Sequence, residues 1–285
     1  MKQIKTGVQA SMLKDKFAQL GVYETLKQIG ALGYGSVEIS QLPMTPENVA
    51  GMKRAADEGI AIAALSAGVA PSGFPSETIA THFKKIVGDC RTLGCSFLRI
   101  PMLPFDCMGS LDAVLAFARM AEVAAQKLAQ EGIKLYYHNH HVEFRRFGGR
   151  TMLDLIRENA PSLGFELDVH WIHRGGYDPV KVIQSYAGKA DLVHLKDYRI
   201  GPIAPEAFEA LKKRDFPAFM AGFANVVQFA EVGEGTLDMP AIIEASLAAN
   251  ARHFFIEQDD LYGRDAFDCL VTSRDNLREM GYSIV

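Results

Sequence analysis

The chain lacks most of the features that would assign a protein to a class at first sight. Its four cysteines, Cys90, Cys95, Cys107 and Cys269, include no CxxC pair, so their spacing describes neither a zinc knuckle nor a disulfide framework. Charge of one sign is not in excess. With 30 basic against 34 acidic residues and a formal charge of −4, no broad cationic surface for a phosphate backbone is expected, and no nucleic acid partner. Long apolar runs are missing as well: the most apolar stretch, Ile60 to Ala70, is too short to span a bilayer, and the basic start MKQIK leads into no apolar signal segment. Reduced thiols, a cytoplasmic location and no membrane partner are the expectation. No linker and no low-complexity segment interrupts the 285 residues, which are read as one domain, 1–285.

What the chain does have is an alternation. Short β-branched or apolar runs are each followed by a longer amphipathic stretch rich in Ala, Leu, Lys and Glu. Eight strands are predicted: Thr6–Gln9, Ser36–Ile39, Ile60–Ser66, Ser96–Ile100, Ile133–His140, Gly164–Val169, Leu192–Leu195 and Phe254–Glu257. The predicted helices are Val22–Leu32, Thr45–Asp57, Ser76–Leu93, Leu111–Gln130, Thr151–Glu158, Pro179–Tyr186, Met239–Ala248 and Asp265–Met280. Eight strand–helix units favour an α/β fold closed into a (β/α)8 TIM barrel over an open sheet. The irregular part is 197–235, a long connection between the seventh and eighth strands with its own helix expected around Ala204–Arg214. Connections of that length are usually functional, and on a barrel this one lies on the active-site face. Its Phe216, Phe219, Met220 and Phe223 can bury against the barrel, the substrate or a second copy in a homo-oligomer.

On a barrel, chemistry belongs at the strand C-termini. The second predicted strand ends near Glu38, the fifth with His138, Asn139 and His140, the sixth with Asp168 and His170, the seventh with His194 and Lys196, and the eighth with Glu257. Side chains two apart share a strand face, so each of the pairs His138/His140, Asp168/His170 and His194/Lys196 can face the barrel mouth together. One such residue alone is more often a capping or hydrogen-bonded core group. Four strands converging with imidazoles and carboxylates instead suit one divalent ion, with carboxylates favouring Mg²⁺ or Mn²⁺ and imidazoles shifting the choice toward Mn²⁺, Co²⁺ or Zn²⁺.

At these residues the sequence resembles the sugar phosphate isomerase/epimerase family of xylose-isomerase-like TIM barrels. The resemblance runs through TGVQ, LGYGSVEIS, YYHNHHVEF, FELDVHW, VHLKD, VGEGTLDMPAII and FFIEQDD, in that order along nearly the whole chain. It implies a single metal held by Asp168, His194 and Glu257 with a first ligand from the fifth strand, where the family commonly has a glutamate. This chain departs there: HNHHVEF offers His138, with Glu143 as a substitute if the loop folds back. His140 matches the base position of related dehydratases.

The implied reaction is removal of a proton next to a carbonyl of a sugar or sugar phosphate, with the metal stabilising the enediolate, as in an isomerase or epimerase. With only Glu257 left as a metal-bound carboxylate base, a dehydratase or lyase acting on a ketosugar or cyclic polyol competes with a two-base epimerase. The catalytic candidates are His140, Glu257 and Lys196, and His140 is preferred as proton carrier because an imidazole outside the ligand set can stay poised near neutral pH. Glu143, His170, Glu38 and Trp171 are the candidates for binding substrate; Trp171, His173 and Tyr177 can line a sugar-binding rim or simply anchor loops. The glycine-rich VGEGT either binds an anion or forms a turn, and no P-loop is present. Two rivals remain, a non-catalytic sugar-binding barrel and an abasic-site endonuclease; the latter needs more metal ligands and a basic face.

Overall fold

The computed structural model describes residues 1–72 and 77–285. Eight parallel strands close into a barrel in chain order: β1 (Thr6–Gln9), β2 (Ser36–Glu38), β3 (Ala61–Ser66), β4 (Phe97–Ile100), β5 (Lys134–His138), β6 (Gly164–Asp168), β7 (Leu192–Leu195) and β8 (His253–Ile256), which pairs back onto β1. The (β/α)8 architecture expected from the alternation is therefore the one found.

The helices outside the barrel follow from caps and apolar stripes. Thr45, Thr78, Ser110, Thr151, Asp178, Asp238 and Asp265 each accept an amide of the first helical turn. In helix Leu111–Ala129 the buried positions Val114, Phe117, Ala118, Ala121, Ala124, Ala125 and Leu128 recur at three- and four-residue spacing, one stripe turned to the barrel. Phe117 is fully buried there, edge-on to Tyr137; truncating such a ring to alanine costs about 3–5 kcal/mol.

Three boundaries differ from expectation. A helical segment starting at Lys14 precedes the expected one; the chain leaves helical geometry at Gly21, φ +76°, and a second segment begins after it at Val22, where the sequence placed the helix. The expected start of the third helix, Ser76, lies outside the described residues; the helix runs Ile79–Leu93 behind a capping box at Thr78. In the 197–235 connection, strands Asp197–Ile200 and Val227–Ala230 pair antiparallel and bracket two helices, Pro205–Lys212 and Phe216–Ala224, where one was expected. The second of these buries no residue: Phe216, Met220 and Phe223 are 60%, 53% and 52% exposed, and Phe219 packs between the rings of Phe208 and Phe223. No helix among the described residues is long and apolar enough to cross a membrane, and all four cysteines are free.

Inside the barrel the side chains stack in layers. At the bottom Ala64, Phe97, Tyr136, Leu192 and Phe255 form an apolar plug. Above it the lumen turns polar: Glu38, Arg99 and Glu166 are buried, and His138, Asp168, His194 and Glu257 lie at the upper rim. Register explains the meeting, since His138 pairs with Glu166 across β5/β6 and His194 with Asp168 across β6/β7.

Candidate metal centre

His138, Asp168, His194 and Glu257 offer ligand atoms that all lie within 4.8 Å of one another, and all four residues are buried. The individual separations are 3.2 Å for His138 Nε2 to His194 Nδ1, 2.8 Å for His194 Nδ1 to Glu257 Oε2, 3.6 Å for His138 Nε2 to Asp168 Oδ2 and 3.8 Å for His194 Nδ1 to Asp168 Oδ2. Neighbouring ligands on a four- to six-coordinate ion with bonds of ~2.1 Å stand about 3.0–3.4 Å apart. The set surrounds a point of that size.

The remaining polar atoms of His138, His194 and Asp168 are already engaged. His138 Nδ1 is 3.3 Å from the Pro101 carbonyl, which can only accept, so the ring proton sits on Nδ1 and the Nε2 lone pair faces inward. His194 Nε2 lies 3.2 Å from Glu38 Oε1 and 3.3 Å from Glu166 Oε1, which places a proton on Nε2 and turns Nδ1 to the centre. Asp168 uses Oδ1 to accept the Trp171 amide at 2.9 Å, capping helix Val169–Arg174; its Oδ2 is buried and takes no hydrogen bond. Asn139 fixes the same backbone by accepting the Asp168 amide at 3.0 Å. A His194 Nδ1 lone pair 2.8 Å from a carboxylate oxygen needs a cation between them, either a proton or a metal. Two imidazoles and two carboxylates, three of them with their outer atoms satisfied, fit a divalent ion.

Without that ion the electrostatics are those of crowded buried acids. Burial lowers the pKa of His194, yet Glu166, Glu257 and Glu38 around it outweigh burial and lift it well above the usual histidine value. Burial pushes Glu257 up, but Lys196 and His194 hold it well below the usual carboxylate range. Glu166 is pushed up to about 8 by burial and by Glu38, while Arg99 and His194 overcome burial to bring Glu38 down to about 2.

Beside the ligands stand groups free to act on a substrate. Lys196 is 1% exposed; its Nζ lies 2.7 Å from Asp259 Oδ1, 3.1 Å from Glu257 Oε2 and 3.6 Å from Asp168 Oδ2, with the rings of Trp171 and Phe229 at 5.1 and 5.3 Å. Burial lowers its pKa, but the three carboxylates more than compensate and keep it charged. His140 has its ring 4.8 Å from that of His138 and 5.6 Å from that of Trp171, and its Nδ1 is buried without a partner. Burial and His138 push its pKa down to about 2, far below the near-neutral value expected of it from the sequence, so it is a neutral imidazole and a weaker base than that expectation held. His170 and Trp171 meet edge to face with ring centroids 4.7 Å apart, and His170 Nδ1 and Trp171 Nε1 are likewise buried and unpartnered among the described residues.

Other expected site residues are placed elsewhere. Glu143 stands outside the ligand set: its Oε1 accepts the Tyr137 hydroxyl at 2.6 Å and its Oε2 the His140 amide at 2.8 Å, which makes it a brace for the loop after β5. Glu38, read as a substrate contact, is fully buried below the ligands and bound to Arg99 at 2.8 Å. His173 accepts or donates to the Tyr198 hydroxyl at 2.7 Å and Tyr177 takes the Arg146 Nε–H at 2.8 Å, so both anchor loops. The VGEGT loop is a turn around a carboxylate of the protein itself. Asp197 accepts the amides of Tyr198, Gly233, Gly235 and Leu237 at 2.8, 3.1, 3.2 and 3.2 Å. A Cβ on Gly235 would meet Asp197 Oδ1 at 2.1 Å, which is why glycine stands there.

Sequence reasoning missed Arg99, Glu166, Asp259 and Phe229. For two of them a signal existed: Glu166 is two residues before Asp168 and Asp259 two after Glu257, on the same faces as residues already singled out.

The chain matches the family model described as "Xylose isomerase-like TIM barrel" over residues 26–262. None of the curated proteins matches it in sequence. Among solved structures, a sugar phosphate isomerase/epimerase from Parabacteroides distasonis superposes with a TM-score of 0.71 at 21% identity, covering 98% of this chain and 94% of that one. A probable 3-DHS dehydratase, AsbF, from Bacillus anthracis gives a TM-score of 0.68 at 15% identity, with 98% and 99% covered. The IolI protein with a binding zinc atom gives 0.64 at 16%, with 97% and 98% covered. These likenesses rest on the fold, and together with the match over most of its length they show that the chain belongs to the xylose isomerase-like TIM barrel family.

Proposed function

We propose that this protein is a divalent-metal-dependent isomerase or epimerase that moves a proton next to the carbonyl of a sugar or sugar phosphate. The observation that carries the reading is the buried set His138, Asp168, His194 and Glu257, with ligand atoms converging within 4.8 Å, beside an unpartnered Nδ1 at His140. A divalent ion held there, of the Mn²⁺, Co²⁺, Zn²⁺ or Mg²⁺ group, supplies positive charge against the oxygen on which negative charge develops. His140, neutral and with a free Nδ1, takes the proton from carbon and returns it. Lys196 holds or protonates a substrate oxygen, and Glu257 is the second candidate base. Trp171 and His170 give the substrate an aromatic wall with unpartnered N–H and N atoms for its hydroxyls. The neighbour named an isomerase/epimerase agrees with this chemistry, and the zinc-bearing neighbour with a metal.

The imidazole at His138 supports a second reading, a dehydratase or lyase acting on a ketosugar or cyclic polyol. One fewer metal-bound carboxylate removes the symmetric pair of carboxylate bases, and elimination needs only one base: the proton goes from carbon to His140 while a hydroxyl leaves as water with a proton from Lys196. A probable dehydratase is among the structural neighbours.

Both readings are tested by metal analysis of purified wild type, Asp168→Ala and Glu257→Ala, with substrate panels of ketosugars and cyclic polyols in deuterated water. About one equivalent of divalent ion in wild type, lost in both variants together with deuterium uptake at carbon, is expected. Products of unchanged composition support isomerisation and products short of one water support elimination; a wild type that takes up no metal on reconstitution refutes both.

A further inference from the structure

Below the ligands lies a buried ionic layer that the proposed reaction does not use. Arg99, from β4, places Nε 2.8 Å from Glu38 Oε1 and Nη1 3.4 Å from Glu166 Oε2, and its Nε also donates to Ser66 Oγ at 3.1 Å. The Ser66 hydroxyl donates to the Ile39 carbonyl at 2.9 Å. Arg99 is 2% exposed and both glutamates are fully buried. Removing these charges from water is costly, and an apolar layer like the plug beneath would serve packing at least as well. The layer does something an apolar one cannot: Glu38 and Glu166 both reach His194 Nε2, at 3.2 and 3.3 Å.

Glu38, Glu166 and His194 are close enough together to suggest a second metal site. Arg99 rules against it, because its guanidinium already occupies the space between the two carboxylates and a dication would be set against a fixed charge.

We propose that Glu38 and Glu166, fixed by Arg99, are positioning residues for the metal: Glu38 accepts the His194 Nε2–H, Glu166 sets its carboxyl beside the same atom, and the proton stays on Nε2 so that Nδ1 is the ligand atom. The inference rests on the metal reading above. Among the described residues His194 Nε2 has no other hydrogen-bond acceptor, and its Nδ1 would be lost as a ligand if the ring adopted the opposite tautomer or turned over. Arg99 acts one step further out, keeping the two carboxylates at a single separation across the lumen from Ser66.

The test uses the full chain stripped and reloaded with Zn²⁺. Chelator competition gives zinc affinity for wild type, Glu38→Leu, which removes the acceptor, and Glu38→Gln, which restores an oxygen. The expected result is a loss of about 10–100-fold for Glu38→Leu, the usual effect of removing a partner of a metal-bound histidine, largely recovered in Glu38→Gln. A proton–nitrogen correlation spectrum of the zinc-loaded wild type, assigned through His194→Gln, should show the His194 ring proton on Nε2 and the metal on Nδ1. That spectrum decides the matter even if Glu38→Leu does not fold. A ring bound through Nε2, or a folded Glu38→Leu with wild-type affinity, overturns this inference and leaves the metal reading standing; a wild type that binds no zinc overturns both.

Discussion

Asp197 offers the sharpest quantitative test, because its carboxylate is held by four backbone amides and fills a glycine-lined nest that otherwise reads as an anion site. Replacing it with alanine leaves four donors, one buried and three part-buried, facing a carboxylate-sized gap. Hydrogen bonds to a charged group contribute about 1.5–3 kcal/mol each, and water refilling part of the gap recovers roughly half, so Asp197→Ala should lose about 3–6 kcal/mol. A chain of 285 residues unfolds with about 0.6 kcal/mol/K of entropy near its midpoint, so the loss reads as a Tm drop of roughly 5–10 °C. The variant also becomes an anion receptor. Formate, the missing carboxylate in isolation, should restore stability as RT ln(1 + [L]/Kd), about 2.7 kcal/mol at a hundred times Kd, or ~4 °C. Wild type should gain nothing specific from formate at matched ionic strength. Differential scanning calorimetry of both proteins across a formate series is the assay. A drop below about 2 °C, or an equal formate response in wild type, would refute the account of this loop.

Three further outcomes are expected. Asp168→Asn should lower bound metal well below one equivalent by elemental analysis, since Oδ2 is the inward atom and an amide is a weaker ligand than a carboxylate. His140→Phe should retain the metal yet slow proton exchange by about 10²–10⁴-fold, the usual contribution of a general base; parallel loss of metal and exchange would assign His140 to binding instead. Stability should fall as pH drops below about 6.5, because His140, His170 and His253 are held neutral by burial, fully at His170 and in part at the other two, with pKa values lowered to about 2, 4 and 4, so the unfolded chain binds protons first. His253 stacks on Phe255 in the barrel bottom, at the opposite end of its strand from Glu257, and His253→Phe should flatten this acid limb in urea titrations at pH 7 and 5.

The barrel and its rim were legible because both depend on local periods. A two-residue alternation marks which strand residues share a face, and a three- to four-residue stripe marks the outer helices; neither requires knowing which strand meets which. That sufficed to put His138, Asp168, His194 and Glu257 among the strand-end candidates, from which the family resemblance picked them as ligands, and the structure brings their ligand atoms within 4.8 Å. It failed for height within the lumen. Glu38 ends its strand just as Glu257 follows its own, yet the stagger of the closed barrel sinks Glu38 beneath His194 while Glu257 stays at the rim. Glu143 failed for another reason, since the turn Val142–Phe144 brings its carboxylate back to Tyr137 and away from the mouth.

Arg99 shows the limit most clearly. In SFLRI it reads as a basic residue at the end of a strand, with ordinary prospects of pointing to solvent. Its partners come from β2, β3 and β6, and no spacing along the chain ties position 99 to 38, 66 and 166. Only closure of the sheet puts them on one level, where the guanidinium offsets two carboxylates that would otherwise repel each other. The cost of burying such a layer is borne by the fold as a whole, and its return is local: a fixed tautomer at one ring, directly beneath the point where four ligand atoms converge. A barrel interior filled only with apolar side chains would be as stable and would leave His194 free to turn.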